Sequence, residues 1–312
     1  MDSIIHQTYR KFEVIAVNDG STDETGRILD EYAATYHFIH IIHSKNKGVS
    51  HARNLAIKEA KGEYLTFVDA DDYIASDFLD IMTDKDSDMT ICGYKSFGLL
   101  SDYFTLENKT YLKSDYKTLF DKYLNRAPLG TPWGILFSRD IIDRYHILFN
   151  ESLIIGEDMV FNQTFLLHAK TISTIDYEGY HYYTFNKRMY QLNESQHEIH
   201  FKAWNDAYLA ICCKFNYSNI VFESMIHNFL HFLYYTYQCN NKFSFKGWHC
   251  YSTYIKKLDK SRIGNQEKNL YSLTIYLEKK NLMYMSFFII RILHPIFHGI
   301  KLKYKYWINF QY

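Results

Sequence analysis

The first 75 residues alternate between short apolar runs, dense turn clusters and helical patterns, and that rhythm restricts the chain to an α/β architecture. Phe12 to Val17 (FEVIAV) is apolar and β-branched, and it stops at Asn18, Asp19, Gly20, Ser21, Thr22 and Asp23. A helix is expected next, with Ser21 and Glu24 spaced as a capping box and Ile28, Leu29, Tyr32 and Tyr36 on one face. A second strand, Phe38 to Ile42, runs into Ser44, Lys45, Asn46, Lys47 and Gly48. Ser50 is then the expected cap of a helix carrying Ala52, Leu55, Ala56 and Ala60. A third strand, Tyr64 to Val68, follows Gly62 and delivers Asp69, Asp71 and Asp72. Such alternation predicts a mostly parallel, Rossmann-like sheet flanked by helices, its strand ends converging on one crevice.

Residues two apart in extended chain share a face, so Asp69 and Asp71 point together, and with Asp72 they are expected to face a cation. All-oxygen ligation suits Mg²⁺ or Mn²⁺, with substrate phosphates completing the shell. The alternative is a solvated acidic turn that caps the next helix. Further along, Glu157 and Asp158 follow Gly156 and open a helix holding Met159, Val160, Phe161, Phe165 and Leu166. Either they are the negative charge that a helix N-terminus tolerates, or Asp158 is a carboxylate placed to accept a proton.

The motifs NDGSTD (Asn18 to Asp23), NKGVSHARN (Asn46 to Asn54), VDADD (Val68 to Asp72) and GED (Gly156 to Asp158) together resemble family 2 glycosyltransferases. Each is weak alone; the four occur in the expected order, and the resemblance covers residues 1–190. It implies a GT-A domain that transfers a hexose, with inversion and metal dependence, from a nucleotide-diphosphate sugar, expected to be a UDP-sugar. On that resemblance Asp19 binds the nucleotide base, Arg53 lies near the nucleotide, and Asn46 and Glu157 belong to the donor site. Asp69 lies by the ribose and metal, Asp71 ligates the metal, and Asp158 is the catalytic base. Arg53 and Lys47 are candidates to hold phosphate. Trp133 matches an acceptor-side tryptophan and reads either as a sugar-stacking platform or as a buried core aromatic. His181, flanked by tyrosines, is left out of the metal shell.

Residues 2–9 resemble the end of the family's first helix, so the expectation is that a first strand and most of that helix, roughly 25 to 30 residues on βαβ dimensions, precede Met1 or have been lost. Ser87 to Tyr94 reads as a strand, residues 97–112 as a hairpin or acceptor-side insertion turning at Asn108 and Lys109, and residues 114–124 as a helix capped by Ser114. Trp133 to Phe137 and Tyr177 to Phe185 are further strands. Residues 191–312 are expected to form a helical region, with aromatic stripes at Tyr208, Phe215, Phe229, Phe232 and Tyr237. Residues 283–312 mix isoleucine and phenylalanine with lysine and histidine, which fits either a helix on an anionic membrane surface or one docked on the domain.

The formal net charge is zero and there is no basic block, which argues against a nucleic-acid partner. Five cysteines without paired spacing argue against a disulfide framework and fit a cytoplasmic site, with attachment to the inner face of the plasma membrane as an option. The reading is a transferase for surface polysaccharide, acting on a saccharide or lipid-linked acceptor. Two rivals are a sugar nucleotidyltransferase on a similar sheet and a non-catalytic, membrane-peripheral remnant of the fold.

Overall fold

A computed structural model describes residues 1–98, 101–124, 126–184 and 194–217. It divides into two compact units, residues 1–116 with 128–187, and residues 117–127 with 188–312. In the first unit, α1 (Asp2–Ile5) precedes β1 (Val14–Asp19), α2 (Thr25–Thr35), β2 (Ile39–Ser44) and α3 (Val49–Glu59). β3 (Tyr64–Thr66), β4 (Tyr73–Ile74), α4 (Phe78–Thr83), β5 (Met89–Gly98), β6 (Asp102–Phe104) and β7 (Lys109–Leu112) follow. α5 (Tyr116–Tyr123) and α6 (Ala127–Gly130) cross the unit boundaries, and β8 (Ile135–Ser138), α7 (Arg139–Tyr145), α8 (Glu157–Leu166) and β9 (Thr171–Thr184) complete the unit. α9 (Glu194–Phe215) lies in the second.

The expected α/β fold is present, but the strands divide into a parallel pair, β1 with β2, and a seven-stranded mixed sheet ordered β3-β8-β5-β9-β4, with β6 on β5 and β7 on β9. Among the described strands of the larger sheet, only β5 and β9 pair in parallel. The residues read as a hairpin over 97–112 do not pair with one another: β6 joins β5, while β7 crosses to β9. Strand periodicity identifies strands without naming their partners, so this part of the topology was not legible from the pattern.

Two expected helix caps are also different. α2 begins at Thr25, whose N–H donates to the Asp23 carboxylate at 3.0 Å, and no side chain caps it in the manner of a Ser21 and Glu24 box. α3 starts two residues earlier than expected because Gly48, at φ 95°, makes the entry; Ser50 lies inside the helix and is buried. Glycine reaches that backbone region without the steric cost a side chain carries. Ser114 falls in a 3₁₀ turn, Lys113–Asp115, with no side-chain cap. The aromatic positions at 229–237 and the membrane-surface segment at 283–312 lie outside the described residues.

Packing fixes where these elements sit. Ile74, Phe78, Leu79, Met82, Cys92, Trp133, Leu136, Ile175 and Tyr180 form one buried cluster, with Ile4, Tyr9, Phe12 and Val68 against it. Gln7 ties the amino-terminal residues to this core: its amide donates to the Ala75 carbonyl at 2.6 Å and its oxygen accepts from the Leu79 N–H at 2.9 Å. A second aromatic group joins β3, β8 and α8. Phe149 and Phe161 stack with centroids 4.1 Å apart, and Phe67 meets both edge-on. That group brings the start of α8 toward the end of β3.

Asn54 locks α3 to the segment before α8, donating to the Phe149 carbonyl at 2.9 Å and accepting from the Phe149 N–H at 2.8 Å. Each such bond contributes about 1 kcal/mol, and orphaned backbone groups add to the loss. Asn54→Ala should therefore cost about 2–3 kcal/mol and lower the melting temperature by about 4–10 °C, measured by calorimetry. Cys92 is buried and its thiol is pushed up to about 12 by burial, whereas Cys213 is exposed. Iodoacetamide on the native protein should label Cys213 and spare Cys92 until denaturant is added, as read by peptide mass mapping.

In the second unit α9 buries Phe201, Tyr208, Leu209 and Ile211, and Tyr217 donates to Asp121 at 2.6 Å. Among the described residues no helix is long and apolar enough to cross a membrane.

Candidate active site

Asp19 sits at the end of β1, and its carboxylate organises the neighbouring loop. Oδ1 accepts from the Lys47 N–H at 3.0 Å and from the Ser44 hydroxyl at 3.1 Å, and Oδ2 accepts from the Gly48 N–H at 2.7 Å. Gly20 makes this approach achievable: at φ 71°, a Cβ there would lie 2.6 Å from the Asn46 backbone nitrogen. Asn18 completes the turn by accepting from the Ser21 N–H at 2.9 Å. The loop so held presents Asn46 and Lys47 to solvent and starts α3, which carries Arg53 one to two turns later.

Arg53 is the centre of the site. Its guanidinium donates from Nη1 to Asp158 Oδ1 at 2.5 Å and from Nη2 to Asp69 Oδ1 at 2.9 Å, and Nη1 lies 3.5 Å from Glu157 Oε1. Its side chain is only 12% exposed, and it lies 5.2 Å over the Phe149 ring. Burial works against its charge, but Asp158, Asp69 and Glu157 overcome that and hold it above the usual arginine range. The planar fork of a guanidinium serves two partners on diverging directions, which a lysine does not. Residues 16 and 105 positions away in sequence are thereby joined through one side chain.

The two α8 carboxylates respond to the same environment. Burial raises Asp158 well above the ordinary aspartate range; Arg53 opposes this, and Glu157 and Asp69 reinforce it. Glu157 is also raised by burial, against its own backbone hydrogen bond and Arg53. The Asp158 side chain nonetheless keeps 20% exposure. A carboxylate of raised proton affinity with an open side is suited to accept a proton from a bound hydroxyl.

The acidic run departs from the expectation in one respect. Asp72 does not face a cation with its neighbours: Oδ2 accepts from the Tyr180 hydroxyl at 2.6 Å and Oδ1 from the Tyr183 N–H at 2.8 Å. Both oxygens serve β9, and burial, opposed by those two bonds, pushes its carboxyl up to about 7. Tyr180 also accepts from the Asp69 N–H at 3.1 Å, so one hydroxyl fixes both ends of the turn. Sequence patterning gave no signal for Tyr180, because its partners are 108 and 111 positions away and a strand tyrosine has no chemical signature.

Asp71 is exposed and Asp69 gives one oxygen to Arg53. Among the described residues no three His, Cys, Asp or Glu side chains gather into a metal cage. Two hard carboxylate donors, with phosphate oxygens and water to complete the shell, match how Mg²⁺ is commonly held, so the chemistry of the donor set fits a divalent cation. Trp133 is 6% exposed and stacks on Tyr180 and Tyr182, with centroids 4.5 and 5.3 Å away. It belongs to the buried core cluster. His181 stacks on Tyr73 at 4.5 Å, on the strand that pairs with β4.

The glycosyl transferase family 2 model matches residues 1–145. Over those residues the chain is similar to that family. The chain is 32% identical over 202 residues to the uncharacterized glycosyltransferase EpsJ of Bacillus subtilis (strain 168), covering 60% of this chain and 56% of EpsJ. It is 34% identical over 193 residues to the poly(ribitol-phosphate) beta-glucosyltransferase of Bacillus spizizenii, covering 58% of this chain and 29% of that one. The chain thus spans about half or less of the length of these relatives. S. aureus TarS, residues 1–349 in complex with UDP-GlcNAc, superimposes with a TM-score of 0.66 at 19% identity over 88% of this chain and 82% of TarS. That likeness is one of fold, and it agrees with the GT-A architecture of family 2.

Proposed function

We propose that this family 2 chain is an inverting, metal-dependent glycosyltransferase that takes a hexose from a UDP-sugar and attaches it to a saccharide or lipid-linked saccharide in surface polysaccharide assembly. The observation that supports this most is the single guanidinium of Arg53 joining the acidic run to the α8 carboxylates. It sets a donor-side carboxylate and a proton acceptor on the two sides of one cation. The relative named a poly(ribitol-phosphate) beta-glucosyltransferase and the fold shared with a UDP-GlcNAc-bound protein support the same substrate class.

In the proposed reaction the acceptor hydroxyl attacks the anomeric carbon from the face opposite the diphosphate. Its proton passes to Asp158, the new oxygen–carbon bond forms, and the bond to the diphosphate breaks with its electron pair left on the phosphate oxygen. Asp71 and Asp69 would hold the Mg²⁺ or Mn²⁺, which supplies charge neutralisation to the leaving diphosphate. Asp19 shapes the loop of Asn46 and Lys47 against which the nucleotide lies. Glu157 adds negative charge that keeps Arg53 in place, and Trp133 supports the wall through Tyr180 and Tyr182.

The test is UDP release from a panel of UDP-glucose, UDP-galactose and UDP-GlcNAc with Mn²⁺ present, with and without extracts of cell-surface glycolipid. Release above buffer from one donor, increased by acceptor, supports the reading. A folded protein that neither binds UDP nor releases it from any donor contradicts it.

A further inference from the structure

We infer that Arg53 is a shared counter-ion that the donor diphosphate takes from Asp158, so that donor binding and release of the base are one coupled event. This rests on the functional reading above and adds to it a coupling between two residues of the site. Both terminal nitrogens of the Arg53 guanidinium face carboxylates, Nη1 bonded to Asp158 and paired with Glu157, and Nη2 bonded to Asp69. At 12% exposure the side chain has little solvent to turn into. A diphosphate arriving between the acidic run and α8 therefore competes with these carboxylates for the same N–H donors. Bidentate N–H bonds to phosphate are as strong as those to carboxylate, so the exchange is balanced.

The partner that gives way is Asp158. Asp69 lies on the donor side, 2.9 Å from Nη2, and the bound cation and phosphate restore its balance of charge. Asp158, on α8, has only Arg53 as a cation among its described partners. A largely buried carboxylate left without its cation takes a proton more readily, and the proton at hand is that of the acceptor hydroxyl. Before the donor arrives the same carboxylate is tied at 2.5 Å and is the weaker base. Arg53 thus acts as a positioning residue for Asp158 as well as a ligand for phosphate.

Coupling of this kind is reciprocal: what binding takes from Asp158, removal of Asp158's charge must return as affinity. Isothermal titration of UDP with Mg²⁺ present, on wild type, Asp158→Asn, Arg53→Gln and the double variant, reads it directly. Asp158→Asn should bind UDP about 5- to 150-fold more tightly than wild type, and the gain should vanish when Arg53 is also replaced. A general relief of negative charge gives the same gain in both backgrounds and overturns the inference, as does affinity within about twofold of wild type. Should Arg53→Gln fail to fold, Arg53→Lys serves as the background, because it keeps the charge without the two-sided fork, and the gain should shrink. UDP binding with no gain sinks the coupling alone. No UDP binding by any folded variant sinks the coupling and the functional reading together.

Discussion

Replacing Asp158 by Asn is expected to lower the turnover of sugar transfer by about 10²- to 10⁴-fold, the range that a positioned general base contributes. The side chains are the same size, so the α8 entry at Gly156 and the aromatic packing of Phe149 on Phe161 should persist. Arg53 retains Asp69 and Glu157, so its charge stays paired. The loss should therefore appear in kcat, with unchanged circular dichroism and with a donor KM that does not rise. Initial rates of UDP formation with acceptor, measured against donor concentration, separate these quantities. A turnover within about threefold of wild type would remove Asp158 from the role of base and leave it as a partner of Arg53.

The second large effect is expected at Asp71. A cation that neutralises a leaving diphosphate is worth several kcal/mol, and each 1.4 kcal/mol is about tenfold in rate, so Asp71→Asn should cost about 10²- to 10³-fold. Its side chain is exposed, so the melting temperature should hardly move. The discriminating readout is the metal requirement: the Mn²⁺ concentration for half-maximal rate should rise well above that of wild type. Asp72→Asn provides the contrast. Asp72 holds Tyr180 and the Tyr183 backbone, so its replacement should act on stability more than on the metal requirement.

Particular residues show how far the sequence carried. The apolar runs Phe12 to Val17, Phe38 to Ile42 and Tyr64 to Val68 overlap the strands found at Val14–Asp19, Ile39–Ser44 and Tyr64–Thr66, because β-branched blocks followed by turn residues leave few other conformations. Arg53, Asp69 and Asp158 were legible as residues of one site, and the structure joins them through one guanidinium that spacing alone does not reveal. Asp72 was expected to face the cation with its neighbours, although two-residue parity groups only Asp69 with Asp71. The Asp72 N–H donates to the Asp69 carbonyl at 3.1 Å, the backbone turns there, and the third carboxylate swings to β9. The caps read at Ser21 and Ser50 failed for a related reason: a glycine at positive φ, and an aspartate side chain two residues before its donor, made the entries instead. Strand direction beyond residue 85 depends on pairings between β5, β8 and β9 that are long-range, and local patterning carries no information on them.

The proposed donor site is bordered by Asp71, Asp69 and Arg53. Crystals of the protein with UDP and Mn²⁺, with data collected at the manganese absorption edge, test it directly. The expected result is an anomalous peak within ligand distance of the Asp71 carboxylate, a diphosphate bridging that peak to Arg53, and Asp158 no longer paired with the guanidinium. Manganese and nucleotide bound away from Asp71, or a diphosphate that leaves the Arg53 to Asp158 pair intact and lies beyond its reach, would contradict it.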